Sequence, residues 1–331
     1  MRAFRIAYDG RPFSGFQRQP DVPTVEDAIF DALEGLGVAD LPRERSGRRP
    51  RPPGYAAAGR TDAGVSAAAQ TIAFEAPSWL TPRAFNGHLP KHVRAWAAAD
   101  VPTDFHATHD ATRRTYRYHL YAPPAESDGD TPSTAPTAPT TRTAPTAPAV
   151  DDERVRAALD RLTGEHDVHN LTPDTDGTVR SITARATRTG DVLVIEVAAD
   201  GFPREFVRRL VTLVRAVGTG DASLSRVDRV LSPDPVAGPE GVGPAPPTPL
   251  VLWNVAYEET TDSGDGADSG DGTDTDGDAA DGDDRRDTAI RFDPDPEAID
   301  STRTAFAEEH VTARHAAAMT AAVRQRVGSD P

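Results

Sequence analysis

The chain of 331 residues has no cysteine and a single lysine, and these absences limit what the protein can be. Without cysteine there is neither a disulfide nor a thiolate metal site. No apolar run approaches the roughly 20 residues needed to cross a membrane. The first residues also lack the apolar core of a signal peptide. Together these absences predict a cytoplasmic protein with no membrane partner. The length of 331 residues predicts one large or two ordinary domains.

The net charge of −16 is distributed unevenly along the chain. Residues 258–287 hold thirteen acidic residues and only two arginines, a net charge of −11, and residues 288–331 carry −2, which leaves residues 1–257 with −3. Arginine clusters in that part are therefore not outweighed by acids, and a nucleic-acid partner is not excluded. One lysine, many aspartates and abundant threonine form a halophile-like composition, which indicates surroundings rich in salt.

Two low-complexity stretches divide the chain, one rich in Thr, Ala and Pro and one rich in Asp and Gly. The first predicts an extended linker, and the second predicts an acidic disordered segment. The predicted organisation is an N-terminal α+β half (1–122), a linker (123–150), a C-terminal α+β half (151–257), the acidic segment (258–290) and a C-terminal helical extension (291–331).

Hydrophobic periodicity predicts the elements within both halves. Phe4, Ile6 and Tyr8 alternate with other residues, which predicts a strand with one buried face. Thr24, followed by Asp27 three residues later, predicts the N-cap of a helix over 25–36. Further strands are predicted at 70–74, 93–99, 111–121, 179–187, 191–199 and 250–257, and further helices at 155–162 and 202–217.

The most specific chemical signal is the stretch Ala-Gly-Arg-Thr-Asp-Ala-Gly-Val-Ser-Ala at residues 58–67. Asp62 lies two residues after Arg60, and the flanking Gly59 and Gly64 allow positive φ angles and the close approach of a partner. A carboxylate on such a loop is a candidate nucleophile or base, whereas a lone Asp in a turn more often bonds to nearby backbone. A loop rich in arginine precedes this stretch, and it predicts phosphate contacts from Arg43, Arg45, Arg48, Arg49 and Arg51.

Three separated motifs resemble those of the tRNA pseudouridine synthase A family. The 58–67 stretch resembles the catalytic loop of that family. Residues 105–118, with Phe-His-Ala, Ala-Thr and Tyr-Arg-Tyr, resemble its second motif. Residues 202–212 resemble its third motif, although Phe206 replaces a methionine and Thr212 replaces a glycine. The resemblance covers about residues 3–122 and 151–257.

The resemblance implies the pseudouridine synthase fold, a mixed and mainly antiparallel sheet built from two similar α+β halves flanked by helices. It implies an isomerase that converts uridine to pseudouridine at positions 38, 39 and 40 of the tRNA anticodon arm. It also implies a homodimer whose partner is tRNA and which uses no cofactor and no metal.

By the same resemblance, Asp62 is the catalytic carboxylate, which either attacks C1′ or removes a proton from C2′. Arg208 would keep that carboxylate ionised in a desolvated pocket. Tyr116 would stack on the uracil, and Arg60 would fill the space that the base leaves. Phe13 to Gln19 resemble an early segment of the family, so Arg18 and Gln19 join the predicted RNA-binding residues.

Two other functions compete with this interpretation. A metal-dependent hydrolase would draw its ligands from Asp104, His106, His109 and Asp110, which form no HExxH pattern and are better explained as solvated polar residues. A non-catalytic RNA-binding module would keep the arginines but would not need Asp62. A different RNA target for the same chemistry also stays open.

Overall fold

The computed structural model describes residues 1–41, 50–124, 148–236, 238, 241–257 and 290–327. Most of the predicted linker and nearly all of the acidic segment lie outside the described residues. The same is true of four predicted phosphate-binding arginines, namely Arg43, Arg45, Arg48 and Arg49. In the described part of the chain, no helix is both long and apolar enough to span a bilayer.

Both halves of the chain contain strands and helices. The strands are β1 (Arg2–Tyr8), β2 (Ala56–Ala57), β3 (Ser66–Phe74), β4 (Val93–Asp100), β5 (Ala111–Tyr121), β6 (Gly164–Asp167), β7 (Val179–Thr189), β8 (Val192–Ala199), β9 (Leu250–Tyr257) and β10 (Asp293–Pro294). The helices are α1 (Val25–Gly35), α2 (Pro82–Asn86), α3 (Asp152–Leu162), α4 (Phe206–Thr219), α5 (Leu224–Val230) and α6 (Pro296–Val327), with a 3₁₀ turn at His169–Leu171.

The described strands form one ten-stranded sheet in the order β10-β4-β1-β3-β9-β5-β8-β7-β6, with β2 paired to β3. Neighbouring strands are antiparallel except β3 and β9, which run parallel where Ser66 faces Val251 and Ala67 faces Leu252. The predicted fold class, α+β with a mixed and mainly antiparallel sheet, is therefore confirmed. The parallel pair joins a strand from before the linker to a strand from after it.

Two hydrophobic cores lie along this sheet, and their boundary does not follow the linker. Tyr118, which precedes the linker, is buried in the second core together with α3 and α4. Leu252 and Tyr257, which follow the linker, are buried in the first core with α1. Strand β5 pairs with β9 on one side and with β8 on the other. Strand pairing thus joins the halves through β5 and β9, and Tyr116 packs against both cores.

Most predicted elements are confirmed, and α1 shows why local rules sufficed. Thr24 Oγ1 accepts a hydrogen bond from the Asp27 backbone N at 3.2 Å, which caps the helix at the predicted residue. Strand β6, by contrast, was not predicted, and residues 164–167 form it because they pair with β7 from Gly164–Ile182 to Asp167–Val179. Availability of a partner strand outweighed the low strand propensity of glycine and aspartate.

Strand β1 differs from its prediction because both of its faces are buried. Arg5, on the face predicted to be exposed, is only 9% accessible. Its guanidinium lies 4.2 Å from the centroid of the Phe292 ring and donates to Thr71 Oγ1 at 2.9 Å. Burial lowers the pKa of Arg5 to about 10. The alternation in sequence did not reveal a residue far along the chain that covers the second face.

The C-terminal extension is part of the sheet edge, which was not predicted. Strand β10 pairs with β4 through Asp293–Ala98 and Pro294–Ala97, and Ala298 is buried. Helix α6 lies within the predicted helical extension, where Asp295 Oδ1 accepts from the Ala298 backbone N at 3.0 Å and Pro296 begins the helix. Covering a strand edge in this way prevents it from pairing with other chains.

Candidate active site

Asp62 lies at the first position of a tight turn. The Val65 backbone N donates to the Asp62 carbonyl at 3.1 Å, and Gly64 has a φ of +79°, which are features of a type II β-turn. Gly64 therefore supplies the positive φ that the sequence predicted. Gly59 does not have a positive φ. A Cβ there would instead lie 4.0 Å from the Tyr116 hydroxyl, so glycine leaves space beside that group.

The turn rests on the loop that follows β1. A Cβ added to Gly10 would lie 2.1 Å from the Val65 carbonyl oxygen, so no side chain fits there without movement of the backbone. Gly15, with a φ of +108°, packs against Thr61 and Asp62 in the same way. Thr61 Oγ1 is 2.8 Å from the buried Tyr8 hydroxyl. These contacts fix the turn against the loop after β1, and the Asp62 side chain remains partly exposed.

Arg208 forms an ion pair with Asp62 across 146 positions of sequence. Its Nη1 donates to Asp62 Oδ2 at 3.0 Å, and its Nε donates to the Ala245 carbonyl at 2.7 Å. The Arg208 side chain is only 15% exposed, whereas that of Asp62 is 39% exposed. The arginine is thus fixed in the wall, and the carboxylate faces open space where a ligand can reach it.

Tyr116 completes the group of three catalytic candidates. Its ring meets Phe202 edge to face, with centroids 5.0 Å apart and an interplanar angle of 83°. Burial, opposed by the charge of Arg114 and assisted by that of Asp62, raises the pKa of Tyr116 to about 12. The phenol therefore stays protonated at neutral pH, as an aromatic surface with an O–H donor.

Arg114 ties the Asp62 loop to the opposite strand. Its Nε and Nη2 both donate to the Ala58 carbonyl at 3.0 Å, immediately before the loop. Nη1 donates to the Asp200 carbonyl at 2.7 Å, and Nη2 also reaches the Thr108 carbonyl at 2.6 Å. A single side chain thereby links three segments that meet at the site.

These residues surround one cavity of about 640 Å³. Pockets of roughly 300–1,000 Å³ are typical of small-molecule and cofactor sites, so this one can hold a nucleotide. The lining residues that carry charge or an aromatic ring are Arg60, Asp62, Arg114, Tyr116, Asp174, Arg180, Phe202, Arg204, Glu205, Phe206 and Arg208. Glu205 precedes α4 with a φ of +61°, an unusual conformation for a residue with a side chain.

The predicted RNA-binding residues fall in different places. Arg60 is exposed and lines the cavity. Arg18 is packed elsewhere, with its Nε 3.6 Å from Glu26 Oε2 and its guanidinium over the Phe30 ring at 4.9 Å. Gln19 is exposed and donates to the Ser14 carbonyl at 2.8 Å. Arg51 is exposed, but neither it nor Gln19 lines the cavity.

The residues of the competing metal-site hypothesis form a local turn. His106 Nδ1 accepts from the backbone N of Thr108 at 3.2 Å and from that of His109 at 3.3 Å. The Asp110 carboxylate accepts from the His106 backbone N at 2.8 Å. Across the described ranges, no three His, Asp or Glu side chains gather in a way that could hold a metal ion.

Sequence reasoning missed several residues of the site, and only some of them left a signal. Arg114 could have been found, because it shares strand parity with Tyr116 and must point to the same face. Phe202 lines the cavity from the start of the third motif, whereas Arg180 and Leu250 line it from strands β7 and β9, outside the three motifs. The roles of Gly10 and Gly15 depend on contacts with a loop about 50 positions away.

Comparison with known proteins gives consistent matches. The family profile described as tRNA pseudouridine synthase matches residues 158–258. The tRNA pseudouridine synthase A of Haloarcula marismortui is 56% identical over 257 residues, which cover 78% of this chain and 86% of that protein. The tRNA pseudouridine synthase A of Natronomonas pharaonis is 55% identical over 257 residues, which cover 78% of this chain and 85% of that protein.

Similarity to solved structures is weaker. The archaeal box H/ACA sRNP Nop10-Cbf5 complex matches at 12% identity with a TM-score of 0.27, covering 65% of this chain and 44% of that chain. This similarity is too low to say anything about the site.

Proposed function

Because this chain belongs to the tRNA pseudouridine synthase A family and is therefore an isomerase that forms pseudouridine in tRNA, we propose that Asp62 is its catalytic carboxylate. The observation that carries this proposal is the ion pair between Asp62 Oδ2 and Arg208 Nη1 at 3.0 Å, in a cavity that also contains Tyr116. Loop, helix and strand each contribute one of these three residues.

The reaction explains why one ionised carboxylate is enough. The N1–C1′ bond of uridine breaks, the uracil turns, and C5 joins C1′, so no atom is added and no water enters. The proton that C5 loses is matched by one gained at N1. Charge builds at C1′ as it does in glycoside cleavage. Asp62 either attacks C1′ or removes the C2′ proton, and its exposed side chain is accessible for both routes.

Arg208 and Tyr116 act on either side of that carboxylate. The guanidinium of Arg208 donates to Asp62 Oδ2 and keeps that oxygen in place. Because the Ala245 carbonyl holds the other edge of Arg208, the ion pair is organised before substrate binds. The Tyr116 ring, supported by Phe202, offers a face on which the uracil stacks during its rotation.

Binding of the RNA falls to residues outside this group. The uridine must leave its helical stack to react, which costs a few kcal/mol. Arg60, exposed at the rim of the cavity, fills the vacated position. The loop arginines Arg43, Arg45, Arg48, Arg49 and Arg51, with Arg18 and Gln19, are assigned to the RNA backbone. Of these, Arg18 is already paired with Glu26.

The finer assignments follow the family. The targets are positions 38, 39 and 40 of the anticodon arm, and the enzyme acts as a cytoplasmic homodimer in surroundings rich in salt. Mapping pseudouridine in unmodified tRNA after incubation with the pure protein tests the positions. Sedimentation of the same preparation tests the dimer.

Substitution of Asp62 by asparagine tests the central assignment. The amide keeps the shape of the side chain but removes its charge, so pseudouridine formation should be lost. Affinity for tRNA should fall by less than about tenfold, or ~1.4 kcal/mol, because the RNA contacts are made elsewhere. Asp200→Asn is the matched control, since Asp200 is exposed and only its carbonyl accepts from Arg114. Substantial turnover by the Asp62→Asn enzyme would contradict the assignment.

A further inference from the structure

Five arginines line the catalytic cavity, and they differ in what accepts their hydrogen bonds. Arg208 pairs with Asp62, and Arg204 lies 3.4 Å from Asp174 Oδ1. Arg114 donates to three backbone carbonyls. Within the described ranges, Arg60 and Arg180 have neither an acidic partner nor a set of carbonyl acceptors like that of Arg114. Arg60 is exposed to solvent, so its charge is solvated, whereas Arg180 is partly buried.

Arg180 is held in the wall of the cavity. It is the second residue of β7, and its Nη1 donates to the Val179 carbonyl at 2.7 Å. Its Nε is shielded from solvent and has no hydrogen-bond acceptor among the described residues. The guanidinium lies against Gly201, where an added Cβ would be 3.4 Å from Nε and 3.7 Å from Cζ.

The chemistry of a guanidinium in this position selects its ligand. Buried donors are normally paired, and a planar guanidinium with free N–H groups binds phosphate or carboxylate oxygens bidentately. Unmodified nucleotides have no carboxylate, and within an RNA chain their anionic groups are the phosphodiesters. Since a uridine enters the cavity still joined to its neighbours, at least one phosphodiester comes with it.

We propose that Arg180 binds a phosphodiester adjacent to the target uridine and so positions the nucleotide for Asp62. This inference rests on the proposed function of the same cavity. The contact exists before and during the reaction, so it contributes to substrate binding more than to the chemical step. Arg180 and Arg60 then have different roles. Arg180 binds the RNA backbone inside the cavity, and Arg60 acts at the rim of the cavity.

The test compares Arg180→Gln with Arg185→Gln. Arg185 lies on the same strand, is exposed and pairs with Glu196, so its loss removes one positive charge away from the cavity. The substrate is an anticodon-arm RNA in three forms, unmodified or with a methylphosphonate on the 5′ or the 3′ side of the target uridine. For each combination of enzyme and RNA, Kd, KM, kcat and the salt dependence of binding are measured.

We expect Arg180→Gln to raise Kd and KM about tenfold while kcat changes by less than about twofold. The plot of log K against log salt has a negative slope. Its magnitude should decrease by about 0.7–0.9, the value for one lost phosphate contact. One methylphosphonate should weaken binding to the wild-type enzyme and to Arg185→Gln, yet have little effect on Arg180→Gln. That non-additivity identifies the partner, because a merely structural residue would not interact with a particular phosphate.

Two results would overturn the proposal. One is an unchanged Kd and KM in Arg180→Gln, and the other is an additive effect of both methylphosphonates. Arg180→Lys provides a second variant if the glutamine enzyme unfolds, and it should keep the salt slope while binding more weakly than wild type. Pseudouridine formation by the wild-type enzyme on the unmodified RNA is measured first. Its absence would contradict the proposed function itself, whereas its presence with normal binding by Arg180→Gln would contradict only this inference.

Discussion

Gly10→Ala tests whether the position of the Asp62 turn sets the catalytic rate. Gly10 lies outside the cavity, so the substitution removes no group that contacts the substrate. The added Cβ would stand 2.1 Å from the Val65 carbonyl oxygen and 2.4 Å from its carbon, and real Cβ contacts essentially never fall below 3.0 Å. Because both atoms belong to the backbone, the turn from Asp62 to Val65 must move by about 1 Å.

A displacement of about 1 Å at a reacting group can cost about 10²-fold in rate. We therefore expect kcat to fall about 100-fold in Gly10→Ala, with tRNA affinity changed by less than about threefold. Overpacking of this kind also lowers stability, by about 1–3 kcal/mol. Single-turnover conversion of uridine, measured at saturating enzyme, reports the chemical step, and thermal unfolding by circular dichroism shows that the variant is folded.

Gly243→Ala is the matched control for this experiment. Gly243 is exposed, has no positive φ, and a Cβ there would meet nothing within 4 Å. Its substitution should leave both rate and melting temperature unchanged. The reasoning is refuted if folded Gly10→Ala converts uridine at the wild-type rate, since the turn would then tolerate the shift.

Two further predictions concern Arg208 and Tyr116. Arg208→Ala should lower kcat by about 10²- to 10³-fold, as expected for loss of a fixed charged donor. Arg208→Lys should restore little of that rate, because one ammonium cannot reach both Asp62 and the Ala245 carbonyl. A lysine enzyme with normal kcat would contradict this geometry. Because burial raises the pKa of Tyr116 to about 12, the folded enzyme keeps a proton that the unfolded chain releases near pH ~10. Its contribution to stability should therefore fall as pH rises from ~10 towards 12. Urea unfolding across that range should show a smaller fall in Tyr116→Phe, and equal slopes for both proteins would count against a buried phenol.

Local sequence was sufficient where a short stretch determines its own structure. The α1 cap needs only Thr24 and Asp27, and the β7–β8 hairpin needs its alternation and the turn at Gly190, which has a φ of +58°. The string around Asp62 also identified the family, because its residues are adjacent in sequence. In each case the interacting groups lie within a few positions of one another.

Pairing between segments distant in sequence could not be predicted from local sequence patterns. Strand β9 inserts between β3 and β5, and the face of β1 that carries Arg5 is covered by Phe292. Neither partner can be read from the strand itself, since alternation shows which residues share a face but not what covers that face. The same limit explains why strand β6 was not predicted.

The sequence by itself determined the family of this protein, and it singled out Asp62, Tyr116 and Arg208 as candidates because each lies in a recognisable motif. Only the tertiary structure decided how these residues are arranged. It placed Arg208 at 3.0 Å from Asp62, seated the turn on Gly10, tied it to β5 through Arg114 and left Arg180 in the cavity wall without an acidic partner among the described residues. The physical reason is that motifs record which groups a reaction needs, whereas distances and burial depend on how the whole sheet and its helices pack.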